Sequence, residues 1–249
     1  MDWAARGDAH ASCGRTATKA ADATVIPERI PDQSAVFFAI AGIVMNGIRR
    51  GRVSWGESAV IFGLGLLGQF AARFCELCGA HRVFAVDVAD RRLALLPDKP
   101  AIVPINARVD DPANMIRTHN RGQLADVAFE VTGDPDLLSD EFGALRRQGR
   151  FVLLSSPRGP STFDFHDLCN APSFTIVGAH EMSHPAHQTP ENRWTRTGHY
   201  RLFFDYLLDG RIDTTPLLSD CVRYQEAPAI YSNLLSDRSS HMGVALNWS

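Results

Sequence analysis

Short apolar runs alternate along the chain with longer stretches whose apolar residues recur at helical spacing. The runs that read as strands are residues 59–62, 83–86, 126–131, 149–154, 174–177 and 243–246. The stretches that read as helices are residues 70–78, 137–145, 200–208 and 227–235. Because strands that alternate with helices form a parallel sheet covered on both faces, the pattern predicts an α/β fold with a doubly wound parallel sheet.

A glycine-rich turn lies between the first predicted strand and the first predicted helix. Its sequence is Gly63-Leu64-Gly65-Leu66-Leu67-Gly68. Gly63 permits a tight turn, Gly65 leaves room for a pyrophosphate, and Gly68 lets the helix pack closely on the strand. The N–H groups at the start of the helix can then hold phosphates. Asp87 ends the next strand about 20 residues later. This order predicts a Rossmann-type dinucleotide site, although the glycines alone could form an ordinary strand-to-helix turn.

The acid at position 87 favours NAD as the dinucleotide. A carboxylate there can bond both ribose hydroxyls of NAD and would repel the 2′-phosphate of NADP. Arg91 and Arg92 follow closely, and an arginine at this place could instead face a 2′-phosphate. Both arginines could also be solvated residues in the first turn of a helix. The predicted cofactor is therefore NAD, with Asp87 as the deciding residue.

Composition limits the classes of protein that this chain can belong to. Its 249 residues are 45% hydrophobic and 21% charged, which is ordinary for a soluble globular protein. A net charge of −3 argues against a general nucleic-acid binder. The longest apolar run, residues 35–45, is too short to span a bilayer, and no apolar signal core is seen at the start. Five cysteines do not suggest a disulfide framework, so a cytoplasmic protein is expected. The expected partner is a small-molecule substrate.

Further motifs lie on both sides of the glycine turn. They are VIPERIPDQSAVF before it, ADVAFEVTG and GRFVLLSS after it, and LLDGRIDTTPLLSD, EAPAIYSNLL and GVALNW towards the C-terminus. In this order they resemble the medium-chain dehydrogenases, in the branch of alcohol, polyol and threonine dehydrogenases. The resemblance runs from about Val25 to the C-terminus. It implies a Rossmann domain with a C-terminal extension over residues 35–249 and a short irregular remnant of a GroES-like catalytic domain over residues 1–34.

The resemblance also implies roles for individual residues. Leu66 and Leu67 would offer backbone N–H groups to the pyrophosphate, together with the glycines of the turn. Asp87 would bind the adenosine ribose, with Arg92 beside it. The path to the nicotinamide would be lined by Thr132, Gly133, Leu154, Ser155 and Ser156. The threonine and the serines could equally be turn residues at the ends of strands.

The zinc ligands of the resembled family are not found in the sequence. The catalytic barrel that carries a Cys and a Gly-His-Glu segment has no counterpart here, nor does the four-cysteine structural zinc loop. The place of a third ligand falls on Phe38 or Ala39, and neither side chain can bind zinc. No metal is therefore expected. The chain could be a degenerate enzyme, a zinc-free enzyme or one subunit of a split enzyme.

A match to the HExxH pattern of zinc proteases is found at residues 180–184. On a helix, two such histidines could hold zinc while the glutamate activates water. However, the motif follows a predicted strand, and Pro185 disfavours helical geometry at the residue before it. A polar surface loop is the favoured interpretation. His180, His184 and Tyr200 are instead weak candidates for the group that accepts a proton from an alcohol.

Taken together, these features predict an NAD(H)-dependent oxidoreductase that acts on a small alcohol, polyol or hydroxylated biosynthetic intermediate without catalytic zinc. The alternative is a non-catalytic or partner-dependent dinucleotide-binding subunit. In the resembled family, the strand like residues 174–177 pairs across a two-fold axis, and an unpaired apolar edge invites association. A homodimer is therefore expected, with a partner subunit that supplies the catalytic domain as the other possibility.

Overall fold

The computed structural model describes residues 24–237 and 239–248. The strands are β1 (Ser58–Phe62), β2 (Arg82–Asp87), β3 (Ile102–Asn106), β4 (Ala125–Glu130), β5 (Leu145–Leu153), β6 (Thr175–Gly178), β7 (Leu218–Arg223) and β8 (Gly243–Asn247). The α-helices are α1 (Asp32–Ala35), α2 (Phe38–Arg50), α3 (Leu66–Leu77), α4 (Asp90–Leu93), α5 (Pro112–His119), α6 (Leu138–Glu141), α7 (Arg196–Leu208) and α8 (Ala227–Ser236). Short 3₁₀ turns lie at Phe142–Ala144, Glu181–Ser183, Thr215–Leu217 and Tyr224–Glu226, and a π turn at His166–Asn170.

The main sheet has six parallel strands in the order β3-β2-β1-β4-β5-β6. The chain runs outward from β1 to β3, and then returns to the other side of β1 with β4. Between β1 and β4, the connections therefore leave the sheet in opposite directions and open a crevice at the carboxyl ends of the strands. This topology confirms the predicted Rossmann-type doubly wound fold.

The two faces of the sheet are covered by separate apolar clusters. All residues of β1 are buried, as expected for a central parallel strand that is covered on both sides. On one face, Phe70 of α3 and Phe203 of α7 join the larger cluster, which also buries the inner side of α2. On the other face, Ile116 of α5 and Phe151 of β5 belong to the smaller cluster. The carboxyl ends of β1, β2 and β4 therefore lie side by side at the same end of the sheet.

The structure corrects the predicted bounds of three helices. Helix α3 begins at Leu66 rather than at residue 70. Helix α7 begins at Arg196 rather than at residue 200, because the hydroxyl of Thr195 caps its first turn by accepting from the Gly198 N–H at 3.2 Å. The helix predicted over residues 137–145 is reduced to α6 and the 3₁₀ turn after it. Strand β5 consequently starts at Leu145, earlier than predicted, with Gln148 in the left-handed region at φ +61°.

Short helix α1 was not predicted from the sequence, and three longer elements were missed as well. Strand β3 contains Pro104, which is tolerated because β3 lies at the edge of the sheet. Helix α5 is short and weakly apolar, and it is started by Asp111, whose carboxylate accepts from the amides of Ala113 and Asn114. Strand β7 pairs with β8 in a separate two-stranded parallel sheet. Its side chains alternate between half-buried and exposed, so no apolar run marked it.

The predicted remnant of a catalytic domain, residues 1–34, falls mostly outside the described residues. Its described part, residues 24–34, leads into α1 and includes Ile30, which is buried in the larger apolar cluster. The division into two domains remains a prediction. Within the described ranges, no helix is both long enough and apolar enough to cross a membrane.

Candidate coenzyme site

The turn between β1 and α3 requires glycine at two of its positions. Gly63 has φ +92°, a conformation that side chains with a Cβ rarely adopt. A Cβ there would also lie 3.0 Å from the backbone N of Thr132. A Cβ on Gly68 would overlap the carbonyl oxygen of Gly63, so the first turn of α3 packs directly on the end of β1. Both glycines are therefore needed by the turn itself.

Gly65 differs from these two glycines because, among the described residues, nothing fills the space beside it. It is the N-cap of α3 with φ −64°, and apart from its chain neighbours no described atom lies within 4 Å of the place where a Cβ would stand. Leu66 and Leu67 form the first turn of the helix, where N–H groups have no intrahelical partner. The open space and the positive end of the helix dipole together fit a pyrophosphate.

Asp87 joins the end of β2 to this turn. Its carboxylate is buried and accepts from the amide of Leu64 at 2.7 Å and from the amide of Ala89 at 2.8 Å. The Nη1 of Arg92 lies 3.4 Å from the same carboxylate. Asp87 therefore has a structural role in addition to the predicted contact with the ribose.

Glu130 organises the two loops that were predicted to lead to the nicotinamide, and the sequence reasoning missed it. It is fully buried at the end of β4. Its carboxylate accepts from the hydroxyl of Thr132 at 2.7 Å, from the amide of Gly133 at 2.8 Å and from the hydroxyl of Ser155. Its carbonyl oxygen accepts from the amides of Leu154 and Ser155, both at 3.1 Å. One residue thus holds the ends of β4 and β5 in register.

A signal for Glu130 was present in the sequence. An ionisable residue that closes an otherwise apolar strand must be hydrogen-bonded if the strand is central. The small polar residues that satisfy it follow at Thr132 and Ser155. A Cβ on Gly133, whose φ is +74°, would lie 3.9 Å from the hydroxyl of Ser155 and 4.0 Å from the carbonyl oxygen of Ser156. The structure therefore brings both loops together beside the glycine turn.

The histidines of the HExxH motif are placed elsewhere, around a buried partner that the sequence reasoning also missed. His199 of α7 is fully buried, and its Nδ1 lies 3.1 Å from the Nε2 of His184. On the other side of the ring, Arg49 donates from Nε to the Nε2 of His199 at 3.0 Å. The Nδ1 of His184 lies 2.7 Å from the carbonyl oxygen of Glu181. Burial, with a smaller contribution from the neighbouring Arg49 and His184, lowers the pKa of His199 to about 3, so His199 is neutral.

The other two candidate proton acceptors make different contacts. His180 is exposed, and its Nδ1 accepts from the amide of Met182 at 3.2 Å. Tyr200 packs edge-on against Phe38, with ring centroids 4.7 Å apart, and lies over Gly42. Burial raises the pKa of Tyr200, which makes its phenolate harder to form. Over residues 24–237 and 239–248, no hydrogen bond joins His180, His184 or Tyr200 to the glycine turn.

The described residues do not fit a catalytic zinc. Among them, no group of three or more His, Cys, Asp or Glu side chains could hold a metal ion. The HExxH segment forms a 3₁₀ turn instead of a helix, and both ring nitrogens of His184 have hydrogen-bond partners in the protein. Phe38 and Ala39 lie at the start of α2, where Phe38 packs on Tyr200 and Phe204.

The family was then established by comparison with known proteins. Residues 67–194, just over half of the chain, match the family model described as "Zinc-binding dehydrogenase". The chain belongs to the zinc-binding dehydrogenase family. The predicted resemblance to medium-chain dehydrogenases is confirmed.

Curated relatives in this family are dehydrogenases of hydroxylated compounds. The chain is 30% identical over 164 residues to L-threonine 3-dehydrogenase of Bacillus velezensis, covering 66% of this chain and 44% of the relative. It is 26% identical over 224 residues to D-guloside 3-dehydrogenase of Escherichia coli, covering 88% of this chain and 63% of the relative. The chain thus spans about half of the length of the curated relatives that it matches.

Solved structures share the fold at low sequence identity. An alcohol dehydrogenase of Escherichia coli, solved in complex with NADH, superposes with a TM-score of 0.75 at 18% identity and covers 92% of this chain and 64% of that chain. The L-idonate 5-dehydrogenase of Escherichia coli has a TM-score of 0.72 at 20% identity, covering 88% of this chain and 58% of that chain.

Proposed function

We propose that this protein binds NAD(H) at the glycine turn and takes part in the oxidation of a small alcohol, polyol or hydroxylated biosynthetic intermediate. The observation that carries the proposal is the open space beside Gly65 at the start of α3. It lies at the carboxyl ends of β1 and β4, where the connections leave the sheet in opposite directions, which is the place where doubly wound sheets bind their ligands. The dehydrogenases among the relatives support the same class of reaction.

Each part of the site has a definite task in this proposal. The amides of Leu66 and Leu67 hold the pyrophosphate, and Asp87 bonds the adenosine ribose, with Arg92 screening its charge. The loops at Thr132–Gly133 and Leu154–Ser156 hold the nicotinamide in place, and Glu130 keeps these loops together. When bound, the coenzyme accepts the hydride, while the protein supplies position and excludes water.

The acid at position 87 supports NAD as the preferred coenzyme. Arg91 and Arg92 favour the opposite choice, because both line a cavity of about 130 Å³ that also includes Ser239 and His241. Isothermal titration with NAD⁺, NADH and NADP⁺ decides between them. We expect tighter binding of NAD(H), and Asp87→Ser should reduce the preference for NAD(H). Tighter binding of NADP(H) to the unaltered protein would contradict the assignment.

A matched pair of glycine substitutions tests the site itself. Gly65→Ala introduces a methyl group where the pyrophosphate would lie, whereas Gly143→Ala introduces one at an exposed position of a 3₁₀ turn that is equally free of neighbours among the described residues. We expect Gly65→Ala to weaken NADH by about tenfold or more with unchanged thermal stability, and Gly143→Ala to change neither. Equal affinity in both variants would refute the proposed site.

A second function, a dinucleotide-binding subunit that works with a partner, is favoured by one observation. None of the candidate proton acceptors His180, His184 and Tyr200 is bonded to the glycine turn within the described residues. An alcohol panel, read at the absorbance of NADH, separates the two functions. Turnover by the purified chain supports the enzyme, and NADH binding without turnover supports the subunit. Elemental analysis tests the expected absence of zinc in the same sample.

We also propose a homodimer through β6. This strand forms one edge of the main sheet, and its Ile176 is 39% exposed. An apolar strand with an unpaired edge is a template for pairing with a second copy. Light scattering at micromolar concentration tests the proposal, and Ile176→Lys should shift the protein towards a monomer. A protein that is monomeric before the substitution would contradict it.

A further inference from the structure

A larger cavity lies apart from the glycine turn, on the side of the main sheet covered by α2 and α7. Its volume is about 810 Å³, within the range of sites that hold small molecules. The C-terminal ends of α2 and α3, the edge strand β6 and the segment before α7 line it. None of the residues predicted to bind the coenzyme is among the lining residues.

The lining of this cavity carries an excess of positive charge. Arg49, Arg50 and Arg52 come from the C-terminal end of α2 and the turn after it. A fourth lining arginine, Arg150, is neutralised by Glu57 at 2.5 Å. Among the described residues that line the cavity, Glu191 is the one carboxylate, so three guanidinium groups face a single acid.

Arg49 is held in place by neutral groups. Its Nε donates to His199, and its Cζ lies 3.6 Å from the centre of the Trp194 ring. His199 must accept through Nε2, so it donates from Nδ1 to His184, which in turn donates to the carbonyl oxygen of Glu181. This chain of hydrogen bonds fixes the ring of His199 and therefore the guanidinium. Within the described residues, Nη1 and Nη2 of Arg49 make no hydrogen bond.

Arg50 and Arg52 add further guanidinium N–H groups that make no hydrogen bond within the described residues. Arg50 uses its Nε on the carbonyl oxygen of Gly178 at 2.6 Å, while Arg52 is exposed and makes no side-chain hydrogen bond within the described residues. Burial lowers the pKa of Arg49, and the charge of Arg193 lowers it further. Arg49, Arg50 and Arg52 line the same cavity, and positive charges that line a concave site raise the local concentration of anions there.

We propose that this cavity binds an organic phosphate, with the phosphate group on the guanidinium groups of Arg49, Arg50 and Arg52. The planar fork of arginine matches two phosphate oxygens at once, and Arg49 is already oriented. An apolar wall that includes Val53, Phe74 and Leu77 lies in the same cavity and would contact the body of the ligand. This phosphate site shares no lining residue with the proposed coenzyme site, and the ligand would bind there without reacting.

The test uses inorganic phosphate and phenyl phosphate, titrated into the full chain by calorimetry and by tryptophan fluorescence. Trp194 reports locally because Arg49 stacks on it, and Trp194→Phe identifies its part of the signal. We expect saturable binding of both probes, with phenyl phosphate about tenfold tighter because its ring is buried on the apolar wall. Arg52→Gln and Arg49→Lys should each weaken binding by about five- to tenfold.

Matched variants separate this site from other places that attract phosphate. Arg108→Gln removes an exposed arginine outside the cavity and should bind as the unaltered protein does. Gly65→Ala should also leave phosphate binding unchanged, since it alters only the glycine turn. The proposal is overturned if neither probe binds at millimolar concentration, or if phenyl phosphate is no tighter than inorganic phosphate. It is equally overturned if affinity falls in Gly65→Ala but not in Arg52→Gln. Arg52 is exposed, so its substitution leaves the fold intact.

Discussion

The glycine turn between β1 and α3 and the turn at residues 180–184 both carry a motif associated with a bound cofactor, but they are held in different ways. The glycine turn is shaped first by its own residues, since Gly68 packs on Gly63 and Gly63 has φ +92°, and Asp87 then fixes it from β2 by accepting from the amide of Leu64. The segment at 180–184 is shaped by distant partners, because Asn46 donates to Ser183 at 2.8 Å and His184 meets His199. A sequence motif forms the structure that is expected of it when its own residues determine the geometry. A motif held by distant contacts takes the geometry that those contacts impose.

The largest effect that tests this comparison is expected for Gly68→Ala. Its Cβ would overlap the carbonyl oxygen of Gly63, so α3 must move away from β1. We expect a loss of about 3 kcal/mol in the free energy of unfolding, measured in urea. Gly65→Ala is the control, because the space around Gly65 is open and its φ is −64°. Comparable stability of the two variants would show that packing does not determine the turn.

A smaller loss is expected for Glu130→Gln. The amide oxygen can keep the two donors that now share Oε1, Thr132 and Gly133, and the NH₂ group then lies against the hydroxyl of Ser155, which now donates to Oε2. This hydroxyl must turn to accept, and the weaker hydrogen bonds of a neutral amide should cost about 2 kcal/mol in urea unfolding. On the proposed function, NADH should also bind more weakly, since the loops lose their common anchor. Unchanged stability would mean that these hydrogen bonds contribute little.

Glu141 of α6 predicts a pH dependence of stability. It is buried, and neither carboxylate oxygen has a hydrogen-bond partner in the described part of the chain. Burial, together with the smaller effect of the charges of Glu130, Asp134 and Asp140, raises its pKa to about 9. The unfolded chain loses this proton near the ordinary value of 4.5, so stability should fall as pH rises from there to about 9.

Glu141→Gln tests this expectation by keeping the shape of the side chain without the charge. We expect the variant to be more stable than the unaltered protein at pH 8, by about 1 to 2 kcal/mol, and the difference to shrink towards pH 5. Urea unfolding at several pH values measures it. A difference that does not change with pH would show that Glu141 is already ionised in the folded protein.

The smallest effect concerns the segment at 180–184. His199 is neutral in the folded protein, with a pKa of about 3, whereas in the unfolded chain it binds a proton near 6.5. Its contribution to stability is therefore present above pH 6.5 and is lost as pH falls towards 3. His199→Phe should remove this acid sensitivity and loosen His184, at a cost of about 1 kcal/mol at neutral pH. Faster amide exchange at residues 180–184 would confirm the loosening, and an unchanged acid profile would contradict it.

Much of the central fold could be predicted from the sequence, because buried parallel strands are apolar throughout and their runs are easy to find. The exceptions have physical causes. Strand β3 carries a proline, β7 is half exposed, and α7 starts early because Thr195 caps it. In the site, the glycine turn and Asp87 were found by spacing, whereas Glu130 and His199 were missed.

The sequence by itself determined the Rossmann-type sheet and the glycine turn, because both depend on local rules. Apolar periodicity specifies which segments are buried, and the turn needs residues without a Cβ at Gly63 and Gly68. Tertiary structure alone decided which residues contact the HExxH segment, and it alone formed the arginine-lined cavity. His184, His199 and Arg49 are far apart along the chain and meet only because α7 packs against α2. Such contacts depend on how helices are arranged on the sheet, which no short motif encodes.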